Sequence, residues 1–171
     1  MKNRGVVLAV IIAIALMAVF FLPGKKSYRE LAVVGKPVQD FTLNDSEGNM
    51  WKLSNLKGKV VFINFWATWC ITCKAEQADK AKLHQMMQGE PFQMLGVLFR
   101  DNPENLPGYL RKINVSAPTL IDPDNDLSKL YGITGVPETF ILDKDGILRE
   151  RIVGPREWGD TETIALIKKW L

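Results

Sequence analysis

Residues 60–73 read VVFINFWATWCITC, so a strand pattern runs directly into a pair of cysteines. The segment Val60–Trp66 is β-branched and aromatic on both faces, which predicts a buried central strand. Cys70 and Cys73 follow after a short loop, at the start of a helical pattern, and they are the only cysteines of the chain. The stretch therefore predicts a strand-to-helix junction that carries two neighbouring thiols, and a redox site is the first interpretation.

The spacing of the two cysteines has a specific physical meaning. In a helix, positions i and i+3 lie on one face, so the two sulfurs can reach disulfide geometry with little backbone movement. Cys70 would lie at the first helical turn, where free N–H groups and the positive end of the helix dipole favour a thiolate and lower the thiol pKa. Cys73, one turn in and more enclosed, would keep a higher pKa and attack only after a mixed disulfide has formed at Cys70. We therefore expect Cys70 to be the nucleophile and Cys73 the resolving thiol.

Other uses of a cysteine pair are weaker interpretations. A structural disulfide that closes so short a loop removes little entropy from the unfolded chain. Zinc needs about four ligands, and the remaining candidates are His84 and scattered carboxylates, while a covalent c-type haem needs a histidine where Lys74 stands. A copper site of Cys70, Cys73 and His84 suits thiolate and imidazole chemistry, although the polar helical stretch around His84 favours a solvated surface residue. The sequence predicts neither a metal nor a cofactor.

The length of the chain limits the number of domains, and its charge limits the classes of function. The chain has 171 residues, and about 140 remain after the N-terminal segment, enough for one domain with a hydrophobic core. The formal net charge is +3, but residues 1–30 carry +4, which leaves −1 for the rest. No basic cluster follows the N-terminus, so nucleic-acid binding is not expected.

The N-terminal segment predicts a membrane anchor. Residues 5–22 are an unbroken run of 18 apolar residues with basic residues on both sides. At about 1.5 Å per residue, this run is just long enough to cross a bilayer core of about 30 Å. A cleaved signal peptide, the alternative, usually has an apolar stretch of about 7–15 residues and a small-x-small site, and the run at 15–18 fits poorly because more apolar residues follow. We predict a signal anchor at 1–24 with a cytoplasmic N-terminus, a linker at 25–36, and one domain at 37–171 on the outer side.

Alternation and turn signals outline the remaining elements. The segments Asn44–Asn49 and Asp145–Gly146 are turn sequences that predict two hairpins, and Asp160 can cap the last helix. The predicted extended segments are 37–43, 51–53, 92–99, 119–122, 138–142 and 147–153, and the predicted helices are 70–88, 104–113, 126–131 and 161–171. Strands that alternate with helices and end in a hairpin and a helix predict a mixed sheet between helices.

Two motifs in this framework resemble a known family. Residues 65–76, FWATWCITCKAE, resemble the active-site strand and helix of thioredoxin-like proteins, and residues 135–143, GVPETFILD, are similar to their second signature. Glu76 after the cysteines and the Glu-Thr pair after the proline resemble the membrane-anchored thiol:disulfide reductases of cytochrome c maturation, the DsbE/CcmG and TlpA/ResA-like group. The resemblance covers about residues 35–171 and implies an α/β fold, a thioredoxin-like three-layer sandwich with a mixed central sheet.

The resemblance also implies roles for residues around the cysteines. It implies that Cys70 is an exposed nucleophile, Cys73 a buried resolving thiol, and Pro137 a cis proline that lies against the disulfide. The backbone of Val136 would then pair with a bound substrate strand, and Trp69 would shield Cys70. An ordinary trans proline in a turn is the alternative for Pro137.

Two acidic residues are implied to lie near the thiols, Glu76 in a catalytic role and Glu138 in substrate binding. Carboxylates near thiols raise the thiol pKa values and can relay protons. Glu76 also stands four residues before Lys80, the favoured order for a surface helix pair, which is the alternative interpretation. Ile71 stands where many members of the group have proline, and the dipeptide between the cysteines strongly influences the reduction potential.

The implied function is that of a thiol:disulfide oxidoreductase held at the cytoplasmic membrane, with its catalytic domain on the periplasmic side. It would reduce disulfides of secreted apoproteins such as apocytochrome c, and a membrane-embedded thiol donor would supply its electrons. A disulfide-forming oxidase would use the same residues, and Ile71 leaves the direction of exchange open. A non-enzymatic copper chaperone or binding module is the remaining alternative.

Overall fold

The computed structural model describes residues 32–113 and 117–171, together with Ile12 and Met17. Apart from those two residues, the predicted anchor at 1–24 lies outside the described residues, and so does most of the predicted linker. No helix within the described part of the chain is long and apolar enough to span a bilayer. The description below therefore concerns the predicted domain.

The described residues form seven strands and five α-helices. The strands are β1 (Thr42–Asn44), β2 (Met50–Lys52), β3 (Val60–Trp66), β4 (Phe92–Leu98), β5 (Thr119–Ile121), β6 (Glu138–Leu142) and β7 (Leu148–Val153). The helices are α1 (Ile71–Ala75), α2 (Gln77–Met86), α3 (Leu106–Leu110), α4 (Asp126–Leu130) and α5 (Thr161–Lys168). Short 3₁₀ turns at Leu53–Leu56 and Pro103–Asn105 precede β3 and α3.

Five strands form one mixed sheet in the order β5-β4-β3-β6-β7. β3 pairs in parallel with β4, and β4 with β5, whereas β6 runs antiparallel to both β3 and β7. β3 is central, and all seven of its residues are buried, as its apolar sequence predicts. β1 and β2 form a separate antiparallel hairpin through the predicted turn. The mixed sheet is confirmed, and the β6–β7 hairpin accounts for its antiparallel part.

The hydrophobic core lies on both faces of the sheet. Phe65 of β3 packs into one cluster and Phe62 into the other, because alternate residues of a strand point to opposite faces. The first cluster includes Leu127 of α4, and the second includes Leu83 of α2 and Ile164 of α5. Helices thus pack on both faces of the sheet, which confirms the predicted three-layer α/β sandwich.

The helix predicted at 70–88 is interrupted in the structure. It consists of α1 and α2, which meet at Glu76, whose ψ angle is 0°. The Glu76 carboxylate points into the interior, where the Trp158 indole and the Arg156 backbone N–H donate hydrogen bonds to it. These donors lie in the segment after β7. The helix is therefore interrupted at a tertiary contact, which helical periodicity in the sequence cannot predict.

Two other helices are shorter than predicted. Part of the helix expected at 104–113 is a 3₁₀ turn, which leaves α3 with five residues. The helix expected at 161–171 ends at Lys168, after which the backbone forms i to i−3 turns. Asp160 caps α5 as predicted, because its Oδ1 accepts the Thr163 backbone N–H at 2.6 Å.

Candidate active site

Cys70 and Cys73 lie at the carboxyl end of β3, where the chain turns into α1, and they are joined by a disulfide. Their Cα atoms are 5.2 Å apart. Cys73 is fully buried, whereas Cys70 keeps 5% of its surface exposed. The expected order of accessibility is therefore correct, although Cys70 is less exposed than the resemblance implies.

Cys70 is the N-cap residue of α1. Its Sγ accepts the backbone N–H of Cys73 at 3.1 Å, and the Thr72 hydroxyl lies 3.5 Å from the same sulfur. In the reduced protein these donors would favour a thiolate on Cys70, because unpaired N–H groups at a helix start stabilise negative charge. Nothing comparable is seen at the Cys73 sulfur among the described contacts. The local geometry fits a nucleophile at Cys70 and a resolving thiol at Cys73.

The Val136–Pro137 segment lies against this disulfide. The peptide bond between the two residues is cis, so the alternative of an ordinary trans proline is wrong. The carbonyl oxygen of Val136 lies 3.7 Å from the Sγ of Cys70. Pro137 is buried at the start of β6, which leaves the backbone of Val136 beside the sulfur that a substrate would approach.

Two large apolar side chains flank Cys70 at the surface. Trp69 is 57% exposed and Ile71 is 85% exposed. The Trp69 indole donates a hydrogen bond to the backbone carbonyl of Arg100 at 3.3 Å, which fixes the ring across the loop that follows β4. Trp69 and Ile71 together give the site an apolar rim, and a role of Trp69 in shielding Cys70 stays a prediction.

The loop after β4 supports the active-site turn, and the sequence interpretation missed it. The Asp101 carboxylate accepts the backbone N–H of Thr68 at 2.6 Å and a hydrogen bond from Asn105 at 2.9 Å. Burial alone would raise the pKa of Asp101, but these hydrogen bonds outweigh it and hold the pKa below its usual range. The available signal was topological, since the carboxyl ends of parallel neighbours such as β3 and β4 meet at one edge of the sheet.

Glu76 lies behind the disulfide in a buried polar network. It is 3% exposed, and its Oε1 accepts the Trp158 indole N–H at 3.1 Å while its Oε2 accepts the Arg156 backbone N–H at 3.3 Å. The Nζ of Lys80 lies 3.2 Å from Oε1. The Glu76–Lys80 pair of the alternative interpretation exists, but it is not a surface pair because both side chains are buried.

Lys80 extends this network to the sheet. Its Nζ donates to the Oδ1 of Asn64 at 2.7 Å, and the amide of Asn64 donates to the Thr139 hydroxyl at 2.9 Å. Asn64 and Thr139 face each other across β3 and β6, the strands that lead into the cysteines and out of Pro137. Burial lowers the pKa of Lys80, while the charge of Glu76 acts in the opposite direction.

Glu138 lies one residue after Pro137, but its carboxylate is occupied. It is 2% exposed, and its Oε1 accepts a hydrogen bond from the Nε of Arg151 at 2.6 Å. Arg151 is on the neighbouring strand β7, and it also donates to the backbone carbonyl of Gly132. Glu138 is therefore next to Pro137 in the chain, but its carboxylate is paired with Arg151.

The candidate metal ligand His84 lies near the end of α2. It lines a small cavity of about 30 Å³ together with Asn64, Lys80 and Thr119. Within residues 32–113 and 117–171, no group of three or more His, Cys, Asp or Glu side chains could hold a metal ion. The described geometry thus gives no third ligand to a copper site built on Cys70 and Cys73.

The arrangement suits thiol–disulfide exchange. The Cys70 sulfur lies at a helix start, where backbone N–H groups would stabilise a thiolate, the Cys73 sulfur is bonded to it, and the half-buried Val136 lies beside it. These are the requirements for attack on a substrate disulfide, formation of a mixed disulfide and its resolution.

Comparisons with known proteins agree with this chemistry. A model of the AhpC/TSA family matches residues 34–151. The chain is 30% identical over 155 residues to the thiol-disulfide oxidoreductase ResA of Geobacillus thermodenitrificans, covering 90% of this chain and 89% of the relative. It is 35% identical over 136 residues to the thiol:disulfide interchange protein DsbE of Escherichia coli, covering 75% and 71%.

Solved structures show the same relationship. A crystal structure of a thiol:disulfide interchange protein of the thioredoxin family from Chlorobium tepidum matches with a TM-score of 0.70 and 26% identity, covering 79% of this chain and 95% of that one. The exposed lipoprotein thioredoxin Etrx1 from Streptococcus pneumoniae matches with a TM-score of 0.67 and 27% identity, covering 78% and 100%.

Proposed function

Because the chain belongs to the AhpC/TSA family and is a thioredoxin-like thiol:disulfide oxidoreductase, we propose that it reduces disulfides of proteins outside the cytoplasm, apocytochrome c among them. The observation that carries the proposal is the Cys70–Cys73 disulfide at the start of α1, with the Val136 carbonyl 3.7 Å from Cys70 Sγ. The names ResA and DsbE among its relatives support the assignment to cytochrome c biogenesis.

The two cysteines take different parts in the proposed reaction. The Cys70 thiolate attacks one sulfur of the substrate disulfide, which forms a mixed disulfide and releases the other substrate sulfur as a thiolate. Cys73 then attacks Cys70 Sγ, the mixed disulfide breaks, and the second substrate sulfur leaves with its electron pair. One substrate disulfide is thereby reduced and the Cys70–Cys73 disulfide is formed.

The substrate would lie along the cis-proline segment. An extended chain can hydrogen-bond to the backbone of Val136, and the apolar rim of Trp69 and Ile71 can contact its side chains. Pro137 holds this segment beside the sulfur. Glu138 would contribute through its position next to Pro137, since Arg151 already binds its carboxylate.

The N-terminal segment supports a place at the membrane. The apolar run at 5–22 fits an uncleaved signal anchor in the cytoplasmic membrane, with the domain in the periplasm or its equivalent. Each turnover leaves the protein oxidised, so a reductant must supply electrons. Tethering raises the effective concentration of the domain near a membrane-embedded thiol donor.

The proposed function is tested with a peptide that carries a disulfide in the Cys-x-x-Cys-His sequence of a c-type haem site. We expect the parent protein to reduce it with dithiothreitol as the electron source. Cys73→Ser should accumulate a peptide adduct at Cys70, because the internal attacker is absent, and Cys70→Ser should accumulate none. Equal adducts on both variants would show that the assigned roles are wrong.

A disulfide-forming oxidase is the second candidate, and the exposed Ile71 between the cysteines is the observation that favours it. The reduction potential separates the two directions. A value near that of thioredoxin, about −270 mV, supports a reductase, and one near that of DsbA, about −120 mV, supports an oxidase.

A further inference from the structure

Lys80 is an unusual residue to find in the interior of this domain. It is 6% exposed, and lysine is rarely buried unless it is paired. Its Nζ contacts two polar partners, the Oδ1 of Asn64 at 2.7 Å and the Oε1 of Glu76 at 3.2 Å. A buried positive charge so close to the active-site helix can influence the ionisation of groups on that helix.

Glu76 connects Lys80 to the resolving thiol. It follows Cys73 by three residues, and its backbone N–H donates to the Thr72 carbonyl, so one helical turn joins them. Side chains with this spacing have Cβ atoms about 5–6 Å apart. Cys73 is fully buried, and the Glu76 side chain, one helical turn away, is 3% exposed.

This arrangement poses an electrostatic problem for the resolving step. Burial disfavours the charged form of a thiol, and a neighbouring carboxylate disfavours it further. The resolving thiol must nevertheless lose its proton before it can attack. A positive charge next to the carboxylate removes part of this obstacle.

We propose that Lys80 is a positioning residue of the exchange reaction, whose ammonium group offsets the charge of Glu76 and so allows buried Cys73 to ionise. The inference rests on the proposed function. In the step concerned, Cys73 releases its proton, its sulfur forms a bond to Cys70 Sγ, and the bond between Cys70 and the substrate breaks. The substrate sulfur leaves with the electron pair and takes up a proton.

The other charged groups around the pair stay constant in the test. Arg156, from the segment after β7, donates its backbone N–H to Glu76. The Nε of its guanidinium donates a hydrogen bond to the Thr163 hydroxyl on α5. His84 lies one turn beyond Lys80 and lines the same small cavity. β3 and β6 contribute neutral side chains, Asn64 and Thr139.

A charge series on the full chain tests the proposal. In a Cys70→Ser background, Cys73 is the only thiol, and its pKa is read from thiolate absorbance. Lys80→Met should raise this pKa by about one pH unit, because a carboxylate remains without its cation. Glu76→Gln should lower it, and the double variant should titrate close to the parent. Lys80→Arg, which keeps the charge, should restore a value near the parent.

The resolving rate gives a second readout, measured with both cysteines present. A pKa about one pH unit higher lowers the thiolate fraction about tenfold near neutral pH, but the more basic thiolate is the better nucleophile, so the net loss is about threefold. The loss should shrink as the pH rises towards the thiol pKa. A merely structural role for Lys80 would not produce this pH dependence.

The proposal is overturned if Lys80→Met and the parent give overlapping thiol titrations. If Lys80→Met does not fold, the double variant with Glu76→Gln is used in its place, because it has no buried carboxylate without a cation. Its thiol titration is then compared with that of Glu76→Gln. Overlapping titrations of the double variant and Glu76→Gln would then overturn the proposal. Thiol titration needs no substrate, so failure of the parent to reduce a disulfide peptide would reject the proposed function without deciding the role of Lys80.

Discussion

A methyl group added at Gly96 should disturb the packing behind the disulfide. Gly96 lies on β4 directly opposite Asn64 of β3. A Cβ atom at this position would lie 2.7 Å from the Nε1 of Trp66 and 3.4 Å from the Oγ1 of Thr119. Trp66 is 2% exposed and shares a cluster with Cys70 and Cys73. The cavity that it lines together with Gly96 is only about 30 Å³, which leaves the ring little room to move.

The expected cost follows from this contact. Overpacking a filled core typically costs about 1–3 kcal/mol. With a urea m-value of about 2 kcal/mol/M, a loss of about 2 kcal/mol lowers the unfolding midpoint by about 1 M. We expect Gly96→Ala to show this shift in the oxidised protein, together with a changed tryptophan fluorescence.

Gly108→Ala is the matched control. Gly108 lies in α3, and a Cβ atom there would meet nothing within 4 Å. Alanine is the better helix former, so this variant should be as stable as the parent or more stable by up to about 1 kcal/mol. If Gly96→Ala unfolded at the same urea concentration as the parent, the close packing of Trp66 against β4 would be refuted.

Three further predictions concern other parts of the chain. Arg151→Met should lower the free energy of unfolding by about 3–5 kcal/mol, because it leaves Glu138 buried without its cation. Arg149→Met, which breaks a more exposed pair, should lower it clearly less. Equal losses in the two variants would contradict this prediction. Burial raises the pKa of Asp143, but hydrogen bonds from the Ile147 N–H and from Arg149 outweigh it and lower the pKa. Its stabilisation is therefore complete above the unfolded pKa of about 3.9 and is lost as the pH falls through the lower folded pKa. Asp143→Asn should unfold more easily than the parent at neutral pH and approach it in acid, whereas a gap independent of pH would contradict the assignment. Finally, the chain expressed in cells should keep its N-terminus and resist alkaline carbonate extraction, and recovery as a soluble protein that starts near Val19 would indicate a cleaved signal peptide instead.

The strand-to-helix junction could be predicted because its signals are local. Apolar residues on both faces marked β3, and the cysteine spacing placed Cys70 at the N-cap of α1. The hairpin of β6 and β7 followed from Asp145-Gly146 in the same way. Apart from the two hairpins, the neighbours of each strand in the mixed sheet were not predicted, since local patterns do not specify which strands pair.

The polar network behind the site could not be predicted, because it depends on contacts distant in the chain. Glu76 and Lys80 look like a surface pair at helical spacing, but both are buried among residues distant in the chain, such as Trp158, which lies 82 positions after Glu76, and Asn64, which binds Lys80. The hydrogen bond from Arg151 to Glu138 could likewise be predicted only from the register of β6 against β7. Sequence periodicity identifies a polar residue but does not say which side chains will cover it.

The central claim is that the Cys70–Cys73 pair works as a reductant, and thiol trapping in intact cells tests it most directly. A reductase in an oxidising compartment needs a continuous supply of electrons, since each turnover leaves its cysteines as a disulfide. Acid quenching and alkylation should find the pair mostly reduced in unperturbed cells, and mostly oxidised when the transmembrane thiol donor is removed. A pair that is fully oxidised in unperturbed cells would contradict the account and indicate a disulfide-forming oxidase.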